Sequence, residues 1–200
     1  MISSILLAAG QSLRMKGENK LIKEIDGTPV IKYAVKNLLS STVNEIIIVL
    51  GYEENLIKKI IGVNKKVKFV YNKNFKEGVA SSIKIGLDNI SIKSEAFFIC
   101  LGDMPNVNQN IYNKLIKSRL KYNKKLNPRH RKEIIIPTFE GKNGNPVLFS
   151  KYIKDKMMLI GHDLDTHKII QLNKEKVLNV PFSNDGVLLD FNTVENFNSL

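Results

Sequence analysis

The polar groups best suited to chemistry in this chain follow directly on short apolar runs. After Ile2–Ala8 come Ala9-Gly10-Gln11-Ser12-Leu13-Arg14-Met15, with Lys20 beyond Gly17. Small residues let backbone N–H groups approach an anion, an arginine forks onto phosphate oxygens, and a lysine adds a mobile point charge. Such a loop binds phosphates. Asp103 follows Phe97–Leu101, with Gly102 before it and Met104-Pro105 after it. A carboxylate fixed at a strand end beside a phosphate loop suits Mg²⁺, which takes one or two carboxylates together with substrate phosphates and water. Gly78, Ser81 and Ser82 form a third polar group after Val67–Tyr71. A capping role stands beside the binding role for two of these groups. Asp103 is placed to cap the helix into which Asn106–Asn110 lead, and Ser81-Ser82 to cap the helix running to Leu87. Two familiar phosphate motifs fail on spacing. A P-loop needs Gly-Lys-Ser/Thr where this chain has Met15, and the dinucleotide fingerprint needs three spaced glycines.

These groups need a scaffold, and the apolar pattern supplies one. Ile2–Ala8, Glu45–Leu50, Val67–Tyr71, Ala96–Leu101 and Ile134–Pro137 are short and rich in branched or aromatic residues, as central parallel strands are. Helical spacing occupies Pro29–Leu39, Glu53–Ile61 and Ser81–Leu87 between the first four. Strand and helix in alternation predict an open α/β sheet covered on both faces by right-handed crossovers. Ligands of such sheets lie beyond the carboxyl ends of the strands. The loops bearing Gly10, Gly78 and Asp103 are therefore expected to converge on one crevice. No internal repeat and no long linker divides the chain.

Length and composition bound the remainder. A chain of 200 residues buries roughly 70% of the surface its unfolded form exposes, enough for one sizeable core. The lone Cys100 lies in an apolar run, which excludes a disulfide within the chain, marks the thiol as core and fits a reducing cytoplasm. No basic segment precedes the first apolar run, so a signal peptide is not expected, and no run approaches the roughly 20 residues of a membrane span. A formal charge of +12 favours anionic partners. Lys114–Lys132 concentrates it, with nine Lys or Arg and no acid. Its first half is spaced as the solvated face of a helix that turns Leu115, Ile116 and Leu120 inward, and Asn127-Pro128 breaks it. No nucleic-acid-reading module accompanies the charge, so nucleic acid is not an expected partner. An acidic protein is a candidate one.

The motifs also carry a resemblance. Leu7-Ala8-Ala9-Gly10-x-Ser12-x-Arg14-Met15, then Asn19-Lys20-Leu21 and Asp26-Gly27-Thr28-Pro29-Val30, resemble the signature of the molybdenum cofactor cytidylyltransferase family of nucleotidyltransferases. Gly78-x-x-Ser81-Ser82-x-x-x-Gly86-Leu87, Gly102-Asp103-Met104-Pro105 and Gly144-Asn145-Pro146-Val147-Leu148-Phe149 follow in the family's order, so the likeness spans nearly the whole chain. Related guanylyltransferases usually show Gly-Gly where this chain has Ala9-Gly10. Pattern and resemblance together lead us to expect a single Rossmann-like, three-layer α/β/α nucleotidyltransferase domain with a mostly parallel sheet. Residues 1–105 would form its nucleotide-binding part and residues 106–200 its acceptor-binding part.

The resemblance implies CTP and molybdopterin as substrates, transfer of CMP, and release of pyrophosphate with Mg²⁺ as cofactor. Arg14, Lys20 and Asp103 are then the catalytic residues. The nucleotide is bound by Leu7, Ala8, Ala9, Gly10, Ser12, Arg14, Lys20, Gly78, Ser81, Ser82, Gly102 and Asp103, with Ser82 the polar contact near base and ribose. Asp103, Asp190 and Asn192 are the metal ligands, Asn192 standing where relatives carry an aspartate. Asn192 and Thr193 also fit a cap for a short last helix. The family's acceptor loop has no clean counterpart in Gly161-His162-Asp163-Leu164-Asp165-Thr166-His167-Lys168, which reads better as a loop and cap than as a metal cluster. Other nucleotides, sugar-phosphate or phospho-alcohol acceptors, and a non-catalytic delivery protein are the competing readings.

Overall fold

A computed structural model describes residues 1–15, 18–160 and 165–191. The chain begins with β1 (Ile2–Ala8), a hairpin of β2 (Glu24–Ile25) and β3 (Thr28–Pro29), and α1 (Val30–Leu39). It continues through β4 (Glu45–Leu50), α2 (Glu54–Ile61), β5 (Val67–Tyr71), α3 (Val79–Asn89), β6 (Ala96–Leu101) and α4 (Gln109–Asn123). Next come β7 (Ile134–Phe139), β8 (Lys142–Asn143), β9 (Val147–Ser150), α5 (Lys151–Leu159), α6 (Thr166–Leu172) and β10 (Val177–Pro181).

Seven strands align in the order β10-β7-β9-β6-β1-β4-β5, and β8 pairs with β7. The β6-β1-β4-β5 block is parallel, β10 runs parallel to β7, and β9 lies antiparallel between β7 and β6. The sheet is therefore mixed and mostly parallel. Side chains of both parities are apolar because both faces are covered. Leu6, Ile46, Ile48, Phe98 and Cys100 pack with α1, α2 and α4, while Ile5, Ile47, Val49, Phe97 and Ile99 pack with α3, α5 and α6. This is the expected α/β/α arrangement. Among the described residues no helix is long and apolar enough to cross a membrane.

The first four core strands coincide with the runs read from sequence. The fifth extends past Pro137 to Phe139, because β10 pairs with it as far as Thr138 and β8 pairs with Thr138 and Phe139, while the pairing with β9 covers only Ile134 and Ile135. One inward assignment fails. In α4, Ile111, Tyr112, Leu115 and Ile116 are buried, but Leu120 is 56% exposed. One helical period beyond Leu115 and Ile116 lies position 119, and Arg119 takes that inward place, with its Nε buried and without a hydrogen-bond partner among the described residues. Burial lowers the Arg119 pKa, an effect opposed by the charges of Glu133 and Glu95.

Register decides where the site lies. Leu7 stands opposite Leu101, Ala8 opposite Leu50, and Leu50 opposite Tyr71, so four parallel strands end level. The loops leaving them share one edge of the sheet.

Candidate active site

The loop after β1 is built around Ser12 and Asn19. Ser12 has φ +53°, its carbonyl accepts from Met15 N–H, and its Oγ accepts from the Lys20 backbone N–H at 3.1 Å. Asn19 is buried, and its Nδ2 donates to Glu53 Oε2 at 3.0 Å while its Oδ1 accepts from Leu21 N–H. Asn19 thus ties the loop to the β4–α2 connection and sets the backbone on which Lys20 stands. Arg14 belongs to a 3₁₀ turn, Leu13–Met15. Its side chain lies outside what the structure describes, as do Lys16 and Gly17.

After β6, Gly102 permits a close approach: a Cβ there would meet Ile31 Cδ1 at 2.9 Å and the Leu7 carbonyl oxygen at 3.0 Å. Its N–H donates to that same carbonyl. Asp103 comes next, with only 5% of its surface exposed, and its Oδ2 pairs with Lys20 Nζ. It does not cap α4, because Asn108 does so through its side chain. Phe191 N–H donates to the Asp103 carbonyl at 2.9 Å and Asn145 N–H to the Val187 carbonyl at 2.8 Å. The chain around Asp190 is thereby laid across the Asp103 loop, although nearly ninety residues separate them. Asn192 lies outside the described residues.

The third loop is organised by a residue the sequence reading passed over. Asn72, fully buried just after β5, donates through Nδ2 to both Ser81 Oγ (2.9 Å) and Ser82 Oγ (3.0 Å), and its Oδ1 accepts from Asn74 N–H. An asparagine closing an apolar strand was the available signal. Ser81 and Ser82 do not cap α3: the N-cap is Gly78, without a side-chain bond, and both serines sit inside the helix. Gly78 has φ +105° and ψ −177°, a conformation essentially confined to glycine.

These loops enclose a cleft of about 240 Å³. Leu7, Ala8, Ala9 and Gly10 line one side, Gly78 and Ser82 another, and Lys20 and Asp103 a third. Leu21, Phe75, Val79 and Leu101 complete the apolar lining. Gly10 is exposed, and the space a Cβ would fill beside it is open. Ser12 and Gly102 stand behind the wall as supports, and Ser81 opens instead onto a neighbouring groove with Tyr71, Lys73 and Lys84. The expected convergence of three loops is therefore present. Asp165, by contrast, caps α6 by accepting from His167 N–H, as a loop-and-cap reading requires, while Gly161–Leu164 fall outside the described residues.

The donor set bears on a metal. Among the described residues no group of three or more His, Cys, Asp or Glu is placed to cage an ion. One buried carboxylate on the wall of a cleft that also carries a lysine fits Mg²⁺, which completes its shell with substrate oxygens and water. Asp103 therefore has the right chemistry, and Asp190 is the nearest further carboxylate along the chain laid over it.

The molybdenum cofactor cytidylyltransferase of Escherichia coli K12 is 26% identical over 196 residues, 98% of this chain and 93% of that protein. A nucleotidyl transferase from Methanothermobacter thermautotroptrophicus, Mth528, superposes with a TM-score of 0.81 at 19% identity, covering 100% of this chain and 95% of the other. Rv0371c of Mycobacterium tuberculosis, solved in complex with manganese, superposes with a TM-score of 0.75 at 18% identity, covering 99% and 96%. The profile of the MobA-like NTP transferase domain matches residues 4–177, from β1 through the cleft-forming loops to the start of β10. The chain belongs to the MobA-like NTP transferase family and is a nucleotidyltransferase.

Proposed function

We propose that the chain transfers CMP from CTP to the phosphate of molybdopterin with release of pyrophosphate, using Mg²⁺. The observation that carries this reading is the joining of Lys20 to Asp103 on the wall of a cleft whose other sides are the Gly10 loop and Gly78–Ser82. The 26% identity to the cytidylyltransferase of E. coli supports the choice of CTP and molybdopterin.

In this reading Ala8, Ala9 and Gly10 offer backbone to the triphosphate, and Arg14 and Lys20 neutralise it. Gly78 and Ser82 lie by the base and ribose, Leu7 packs beneath them, and Ser12, Ser81 and Gly102 hold the walls. Asp103, with Asp190 and Asn192, would hold the Mg²⁺. When bound, that ion would supply positive charge that offsets the charge of the triphosphate. No protein nucleophile is needed. An oxygen of the acceptor phosphate forms the new bond to the α-phosphorus, the bond from α-phosphorus to the bridging oxygen breaks, and its electron pair leaves with pyrophosphate. The residues position the reactants and offset the charge gathering on the leaving group.

All cleft-lining residues fall between Leu7 and Asp103. That supports a division of one domain into a nucleotide part, 1–105, and an acceptor part, 106–200. The lone buried Cys100 fits a reducing, cytoplasmic setting, and the basic Lys114–Lys132 segment fits an acidic recipient enzyme.

The test is pyrophosphate release with Mg²⁺ and each NTP in turn, with and without molybdopterin. Release with CTP that depends on molybdopterin is the expected result. Release with GTP alone would assign a guanylyltransferase, and none with any NTP would assign a binding or delivery role.

A further inference from the structure

We propose that the groove between α4 and β10 binds an extended acidic segment of another protein, which adds as a strand to the open edge of the sheet. The inference gives a place and a mode of binding to the acidic partner proposed above; it rests on that reading and is independent of the nucleotide chemistry. β10 is the last strand of the sheet and pairs on one side only, with β7. The Lys176 carbonyl and the Phe182 N–H both point to β7. Backbone groups alternate in direction along a strand, so those of Val177, Asn179 and Pro181 point the other way. Val177 N–H donates to the Lys174 carbonyl, and the Pro181 carbonyl accepts from Lys114 Nζ. The Val177 carbonyl and the N–H and C=O of Asn179 remain along an edge that no other strand covers among the described residues. Such an edge is a template for a further chain.

The groove beside this edge decides which chain. It measures about 550 Å³, with Leu178, Val180 and Pro181 on one side and Lys114, Lys121 and Tyr122 of α4 on the other. Lys114 is held in place, bonded to the Pro181 carbonyl and lying 4.2 Å from the centre of the Phe182 ring. An ammonium has three donors, so two are left for a ligand. Lys121 is exposed. Seven residues separate the two lysines, about 10 Å along a helix, which an extended chain spans in about three residues. Carboxylates on either side of an apolar residue therefore match the groove. The segment Lys114–Lys132 adds seven further cations and no acid, which complements an acidic chain. A second copy of this chain, at +12, is repelled. Single-stranded nucleic acid binds on stacked aromatics, and Tyr122 is the one aromatic ring lining the groove among the described residues.

The probe is fluorescein-labelled Glu-Glu-Val-Glu-Glu-Val-Glu-Glu, titrated into the full chain at about 150 mM salt, where exposed charges more than about 8 Å apart are screened. Anisotropy reads the binding. Lys121→Glu should weaken it about tenfold, and so should Asn179→Pro, which removes an N–H that faces away from the sheet and is tolerated there. Lys125→Glu, in the same basic segment but outside the groove, should change it by less than about twofold. A probe with an N-methylated backbone cannot pair as a strand and should also bind about tenfold more weakly, which asks the same question without altering the protein. Equal weakening by Lys125→Glu and Lys121→Glu, or binding indifferent to N-methylation, overturns the groove and strand addition while leaving an acidic partner. No binding of the probe by the wild-type chain overturns both. Tighter binding of oligouridine that Lys121→Glu abolishes would assign nucleic acid instead, and a dimer in light scattering that Asn179→Pro dissociates would assign a second copy. CTP affinity should be the same in all three variants, and none of these outcomes bears on the nucleotide cleft.

Discussion

Lys20 Nζ is bonded to Asp103 Oδ2, closing the cleft between the loops after β1 and β6 across 83 residues of sequence. The lysine side chain is only 20% exposed and the aspartate side chain 7%. In the proposed reaction each has another partner, a phosphate for Lys20 and a divalent cation for Asp103. Lys20 is therefore expected to compete, in the absence of nucleotide, with a cation for Asp103.

Removing the lysine should reveal that competition. In Lys20→Met, Asp103 loses a cation that occupies it and repels a metal, so Mn²⁺ affinity without nucleotide should rise about tenfold, equivalent to about 1.4 kcal/mol. CTP affinity should fall in the same variant. Electron paramagnetic resonance titration of Mn²⁺ reads the first effect, and unchanged Mn²⁺ affinity would show that the two do not compete for Asp103.

Loss of Asp103 itself should strike turnover. Asp103→Ala removes the cleft carboxylate and Arg14→Ala a phosphate cation, and by the usual scale of a lost electrostatic stabiliser each should lower kcat about a hundredfold or more. Pyrophosphate release under saturating substrates is the measurement. Near-normal rates in either variant would sink the proposed assignment of that residue.

Asn72 gives a prediction of a different kind, because it acts through the two serines it holds. Asn72→Ala removes the three hydrogen bonds of a buried amide and should cost about 1–3 kcal/mol of stability. The wall formed by Gly78 and Ser82 then loosens, so KM for CTP should rise while kcat changes little. Urea unfolding and steady-state kinetics check the two halves. A fall in kcat at constant KM would place Asn72 in the chemistry instead.

Cys100 predicts a pH effect. Burial pushes its thiol from an ordinary 9.0 up to about 12, against the lowering effect of hydrogen bonds with Ser4 and Tyr112. Below pH 9 both folded and unfolded chains keep the proton. Between 9 and 12 only the unfolded chain releases it, so this contribution to stability is lost as pH rises. The stability difference between wild type and Cys100→Ala should shift against the wild type by about 1 kcal/mol from pH 8 to pH 10. Denaturant midpoints at the two pH values decide it, and a pH-independent difference contradicts the shift.

The central strands were legible because their burial on both faces makes every position apolar, a pattern that needs no knowledge of neighbours. The motif loops were legible for the converse reason, since Gly10, Gly78 and Gly102-Asp103 interrupt that pattern at strand ends. Where local pattern and hydrophobicity disagreed, as at Arg119 and Leu120, the helical period prevailed. The direction of β9 was not legible, because parallel and antiparallel pairing bury the same side chains. Nor was the role of Asn72, whose partners arrive from the next helix.

By itself the sequence determined an α/β sheet, its first four parallel strands, and which loops carry cations, carboxylate and serines. Only the tertiary structure decided that Lys20 meets Asp103, that the chain at Phe191 lies over Asp103, and that the open edge of β10 lies beside the lysines of α4. Periodicity and residue type are local properties, read within a few positions. Which strand ends stand level, and which side chains face one another across a cleft, is set by sheet register and helix packing between residues far apart in the chain.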